Sequence, residues 1–132
     1  MTTGLRSELA ACAAVAVGGA IGSLARVLLE QLGAAASPWP SIIINVVGSL
    51  LLGVLAGAVF GTAPRWLIAG LGTGLLGGFT TMSGLAVHAL LLAGSDGAGF
   101  AAGYLLASLV LGLGGALLGF TLGQRWRRER AT

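Results

Sequence analysis

Four long apolar stretches, separated by short charged or turn-forming segments, decide what this chain can fold into. They fall at about residues 9–29, 41–60, 66–92 and 100–123, and a basic tail occupies 124–132. A helix rises 1.5 Å per residue, so about 20 residues cross the ~30 Å hydrocarbon layer of a bilayer, and each stretch is long enough. Charged residues make up only 8% of the chain, too few to cover the surface of a water-soluble domain. Within lipid every backbone N–H and C=O must be satisfied by the protein itself, which leaves helices or a closed barrel. These Leu/Ala/Gly/Val runs lack the two-residue alternation of barrel strands. The expected fold is an all-α membrane protein, a single four-helix domain over residues 1–132.

Leu9-Ala10-Ala11-Cys12 has the form of a lipoprotein cleavage box. Arg6 and Glu8, however, stand where the apolar signal region belongs, so the first stretch is expected to stay as a span. The third stretch runs uncharged to Ser95, roughly ten residues more than one straight crossing needs, so an interruption is expected near its middle. An even number of spans puts both termini on one side. That side would hold Arg6, Arg65, Arg125, Arg127, Arg128 and Arg130 against Arg26 alone on the other, which predicts cytoplasmic termini in a cell membrane.

The 24 glycines recur at helical spacing rather than in linkers. Ala14, Gly18, Gly22 and Arg26 repeat every four residues, as do Asn45, Ser49, Gly53 and Gly57, and Gly115, Gly119 and Gly123. Lipid gives helices no hydrophobic reason to associate, so such faces act by letting backbones approach closely. Four short helices enclose little space, and a pore is expected between subunits of at least a dimer.

Polar side chains within spans are costly and mark candidate functional positions. They are Asn45 in the second span, Thr80, Thr81 and Ser83 in the third, and Tyr104 with Ser108 on one side of the fourth. The run Gly70 to Thr81 concentrates glycine and hydroxyls in the over-long span. A broken helix there would free carbonyls for a cation and N–H groups for an anion. Gly72-x-Gly74-x-x-Gly77 formally matches a dinucleotide fingerprint, but the strand that motif requires before it is not credible in this chain. No catalytic set can be assembled: Glu8, Glu30, Asp96 and Glu129 lie at or beyond span ends, and His88 is the only histidine. Neither enzymatic activity nor a nucleic-acid partner is expected.

Three motifs in order resemble the Fluc (CrcB-type) fluoride channel family. They are Gly18-Gly19-x-x-Gly22-x-x-x-Arg26, Asn45-x-x-Gly48-Ser49-x-x-x-Gly53 and Gly74-x-x-Gly77-Gly78-Phe79-Thr80-Thr81-x-Ser83. Tyr104 and Ser108 continue the likeness into the fourth span. The resemblance implies an antiparallel, dual-topology-type dimer with two narrow fluoride pores and a central structural sodium ion (Na+). It also implies that the backbone carbonyls of Gly77 and Thr80 hold the sodium and that Asn45, Ser83, Tyr104 and Ser108 face the anion. Thr81, Met82 and Leu85 belong to the same expected path, and Arg26 and His88 are expected at vestibule or packing positions. The implied activity is passive export of fluoride from the cytoplasm, conferring fluoride resistance.

Two departures set this chain apart. Where the family reads Thr-Thr-Phe-Ser-Thr-Phe, it reads Thr80-Thr81-Met82-Ser83-Gly84-Leu85, and His88 replaces a glutamate. The positive ring edges that could meet fluoride are gone from Met82 and Leu85. Together with the arginine bias, the loss leads to the expectation of a heterodimer, favoured over a homodimer, with a related subunit of opposite orientation supplying missing groups. Two other readings are weighed: a non-conducting structural or regulatory subunit, and a small multidrug exporter. The exporter would need an embedded carboxylate in the first span, and none precedes Glu30.

Overall fold

The computed structural model describes residues 3–32, 37–59 and 61–130, and no strand occurs among them. Helix α1 covers Thr3–Leu32 and α2 covers Trp39–Val59. The third span is two half-helices. The first, α3, occupies 65–79 and is built from an α-helical turn Arg65–Ile68, a π-helical stretch Ala69–Leu76 and a last turn Gly77–Phe79. The second, α4, is Met82–Ser95. Helix α5 covers Ala98–Glu129 and follows Gly97, whose φ of 94° suits a residue without Cβ. Counting α3 and α4 as one span, four helices among the described residues are long and apolar enough to cross a membrane, as the all-α reading expects. At 1.5 Å per residue α1 and α5 run to roughly 45–50 Å, longer than the hydrocarbon layer, so their charged ends project beyond it.

The third span breaks at Thr80 and Thr81, whose backbones are extended (φ −77°, ψ 156° and φ −144°, ψ 119°). Two β-branched residues after two glycines are poor material for continuing a helix. Thr81 instead begins the next one, its Oγ1 accepting the Gly84 N–H at 2.9 Å as an N-cap. Upstream, Thr80 closes α3, its N–H donating to the Leu76 carbonyl at 3.0 Å and its hydroxyl to the same oxygen at 3.1 Å.

Packing is by small residues and is interlaced along the chain. Helix α1 lies along α3, α2 lies along α5, and α1 and α2 scarcely touch. A Cβ at Gly22 would run into the Leu75 carbonyl and lie 3.0 Å from the Phe79 nitrogen. On the other pair, Gly53 faces the Ala116 carbonyl and Gly119 faces the Leu50 carbonyl, each too close for any side chain. The glycine rows are thus the lines along which backbones touch. The π-helical hydrogen bonds reach one residue further than α-helical ones. Within that widened winding Gly70 and Gly74, and Gly78 just beyond it, all meet α1, at Ala14, Val15 and Gly19. Most leucines of α1, α4 and α5 remain exposed on the protomer, as suits a lipid-facing wall, and the small core gathers Ile42, Leu85, Ala89 and Tyr104.

Candidate ion site at the break of the third span

Asn45 reaches from α2 to the break and holds it from both sides. Its Nδ2 donates to the Thr81 carbonyl at 2.8 Å, and its Oδ1 accepts the Thr81 N–H at 2.8 Å. One amide side chain thus replaces the helical acceptor that the Thr81 N–H loses at the break and adds a second donor to the Thr81 carbonyl.

The diverted donors show which carbonyls are released. In an unbroken helix the Thr81 N–H would return to Gly77, and it goes to Asn45 instead. The Gly84 N–H would return to Thr80, and it goes to Thr81 Oγ1 instead. Gly77 and Thr80 therefore offer backbone oxygens without their helical donors. A third carbonyl, that of Gly78, is met from α1 by Arg26 Nε at 3.3 Å and Ser23 Oγ at 3.4 Å. Arg26 is in turn held by Glu30, with Nη1 at 3.3 Å from both carboxylate oxygens. The end of α3 carries the partial negative charge of a helix C-terminus, so a fixed cation at Gly78 is favourable there. The start of α4, at Met82 and Ser83, carries the partial positive charge and the free N–H groups that attract anions.

Two clefts meet at this point. A polar one of about 340 Å³ is lined by Arg26, Glu30, Ser41, Thr81, Ser83 and His88 among others. A largely apolar one of about 610 Å³ includes Asn45, Gly77, Thr80, Thr81, Met82, Leu85 and Ser108. Thr81 belongs to both, and its hydroxyl lies 3.1 Å from that of Ser83.

Ten of the eleven expected site residues therefore line one cleft or the other. Tyr104 does not: it is buried against Ile42, Leu85 and Ala89, with its hydroxyl donating to the Pro38 carbonyl at 3.1 Å. The two positions without rings also diverge, for Met82 is 80% exposed on the protomer while Leu85 is buried in the core. Arg26 and His88 both line the polar cleft, and each makes specific hydrogen bonds.

Three participants were not among the expected site residues: Ser23, Glu30 and Ser41. Ser41 is fully buried, with its hydroxyl 3.2 Å from His88 Nδ1. The signals were present. Ser41 precedes Asn45 by four residues and extends its polar stripe by one turn, and Glu30 follows Arg26 at the spacing of a helical ion pair. Among the described residues no group of three or more His, Cys, Asp and Glu side chains could hold a metal ion.

The family model described as "CrcB-like protein, Camphor Resistance (CrcB)" matches residues 13–120. Fluoride-specific ion channel FluC 2 of Bacillus licheniformis is 46% identical over 114 residues, covering 85% of this chain and 86% of that protein. Fluoride-specific ion channel FluC 2 of Halalkalibacterium halodurans is 42% identical over 130 residues, 96% of each. Fluoride-specific ion channel FluC 1 of Rhodococcus jostii is 45% identical over 122 residues, 89% of each.

Proposed function

The chain belongs to the CrcB-like protein family, and from that premise we infer that it is a subunit of a fluoride-selective membrane channel rather than an enzyme. The observation that carries the reading is the opened third span, where one asparagine keeps a backbone segment unwound between two clefts. Fluoride is small and tightly hydrated, so its passage through a bilayer requires close donors that replace water. The N–H groups at the start of α4 and the hydroxyls of Thr81 and Ser83 are such donors, and Ser108 lies further along the apolar cleft. Among the described residues no full positive charge lines that inner cleft, which favours release as well as binding. The channel lets accumulated fluoride leave the cytoplasm down its gradient and so confers fluoride resistance.

The structural sodium of this reading would sit at the carbonyls of Gly77 and Thr80. What supports it is the diversion of their two helical donors to Asn45 and Thr81, since unwound carbonyls in a membrane suit Na+. A bound sodium would supply fixed positive charge at the break, while this chain's own residues orient the donors.

The channel is a dimer of antiparallel subunits in the cell membrane, and this chain faces one way with both termini in the cytoplasm. Three features support a related but distinct partner: the arginine bias, the lack of rings at Met82 and Leu85, and an inner cleft left open on the single protomer. To test orientation, a cysteine placed in the C-terminal tail of a Cys12→Ser background is expected to react with impermeant reagents from the cytoplasmic side only. Equal labelling from both sides would rule out the one-way subunit.

Fluoride efflux from liposomes tests the activity itself. The chain reconstituted with its oppositely oriented relative is expected to discharge a fluoride gradient and retain chloride. Replacing all sodium by a large organic cation is expected to lower that flux about tenfold or more. Absence of flux from the pair would remove the channel assignment, while sodium-independent flux would remove only the sodium site.

A further inference from the structure

The polar cleft beside the break contains the chain's only histidine, and its charge balance turns on that residue. His88 Nδ1 lies 2.9 Å from the Gly84 carbonyl, which can only accept, so this nitrogen carries a hydrogen. Ser41 Oγ, 3.2 Å from the same nitrogen, shares that hydrogen as a second acceptor. In the neutral ring Nε2 is then the bare nitrogen, and it has no hydrogen-bond partner among the described residues. The ring is half-buried and fixed in one orientation.

The charged groups around it cancel. From α1 come Arg26 and Glu30, paired to each other at 3.3 Å. Helix α2 brings Pro40 and Ser41, neither of which titrates, and α4 has no other ionisable side chain. Tyr104 of α5 is engaged with the Pro38 carbonyl, and residues 33–36 are Gly and Ala. Imidazole is the side chain that gains its proton between pH 5 and 8. A proton on Nε2 therefore changes the net charge of the cleft from zero to +1, next to Thr81 and Ser83, where the cleft joins the inner one.

We propose that His88 is a proton-operated anion collector: protonated at Nε2, it makes the polar cleft cationic, draws fluoride to the break, and couples the rate of passage to pH. The proposal rests on the fluoride-channel reading and deepens it. By chain topology the cleft opens on the side away from both termini, so the pH that matters is the pH on that side. A single cation at the mouth of a low-dielectric passage raises the local anion concentration, and an effect of about three- to tenfold on flux is expected.

The test is fluoride flux through the assembled pair in vesicles between pH 8 and pH 5.5, with leak of undissociated hydrogen fluoride subtracted in protein-free vesicles. Flux is expected to rise on acidification, and His88→Gln in this chain is expected to remove the rise whatever its absolute rate. A flat wild-type profile, or an equal rise in H88Q, overturns the proposal and leaves the channel reading standing. No fluoride flux at any pH overturns the channel reading and the proposal with it.

A second measurement needs no variant. The sole imidazole gives one set of NMR signals, and reciprocity requires fluoride to favour the protonated ring if the protonated ring favours fluoride. Saturating fluoride is expected to move the midpoint of the imidazole titration upward. An unmoved midpoint overturns the proposal.

Discussion

Replacing Asn45 with leucine is expected to abolish fluoride flux, lowering it at least about a hundredfold, and to destabilise the protein. Leucine keeps nearly the shape of the side chain and loses both polar contacts. The Thr81 N–H, now bonded at 2.8 Å, would be left without a partner in the membrane interior, and the Thr81 carbonyl, as N-cap the first acceptor of α4, would lose its second bond. An unsatisfied buried donor costs about 1–3 kcal/mol, and the carbonyl's lost second bond adds to that. Rewinding is the cheapest relief, because returning the Thr81 N–H to Gly77 restores one helical bond and withdraws the released carbonyl. The same change would straighten the third span and close the junction between the clefts. Liposome efflux and thermal unfolding in detergent check both parts. Flux at the wild-type level in N45L would mean that the clamp does not hold the break open. Asn45→Asp separates its two halves, retaining an acceptor for the N–H but setting a carboxylate against the Thr81 carbonyl. A loss of flux at least as deep is expected.

Gly22→Ala and Gly103→Ala are expected to have opposite outcomes, although each adds a single methyl group to a helix. At Gly22 the new carbon would overlap the Leu75 carbonyl, a backbone atom that cannot swing aside, so α1 and α3 must separate. Forced overpacking of this kind costs about 1–3 kcal/mol. The separation is felt at the break, because Arg26, one turn further along α1, would be drawn away from the Gly78 carbonyl. Gly103 has nothing within 4 Å of the added carbon, and alanine there gains about 1 kcal/mol of helix propensity. The expected result is a lowered melting temperature and at least about a tenfold loss of flux for G22A. Unchanged flux and an equal or higher melting temperature are expected for G103A. Equal behaviour of the two would mean that the glycine row of α1 is not a packing line.

How much of this could be read from the sequence depends on whether the signal is local. The broken span was legible because its length is a one-dimensional fact, and Gly77-Gly78 followed by Thr80-Thr81 marks where helix propensity fails. The glycine rows were legible as faces, since four-residue spacing fixes a side of a helix, but not as pairs. Nothing local says that the Gly22 face meets α3 and the Gly53 face meets α5. Asn45 stood out as an expensive group in lipid, yet its partner lies 36 positions away at Thr81 and could not be deduced from spacing. Met82 and Leu85 look equivalent at a separation of three residues. Both lie in α4, yet the structure puts Met82, the first residue after the break, on the open surface and Leu85, one turn deeper, in the core. Ser41 was overlooked because a serine at a span's edge usually signals a boundary, and its complete burial is a tertiary fact.

The alternation of partners, first span with third and second with fourth, bears on biosynthesis. When the first two helices have entered the bilayer, each displays its glycine row to lipid, because neither is the other's mate. Stability must wait for the second half of the polypeptide, and a fragment ending at the loop before Arg65 would be an unfinished half rather than a domain.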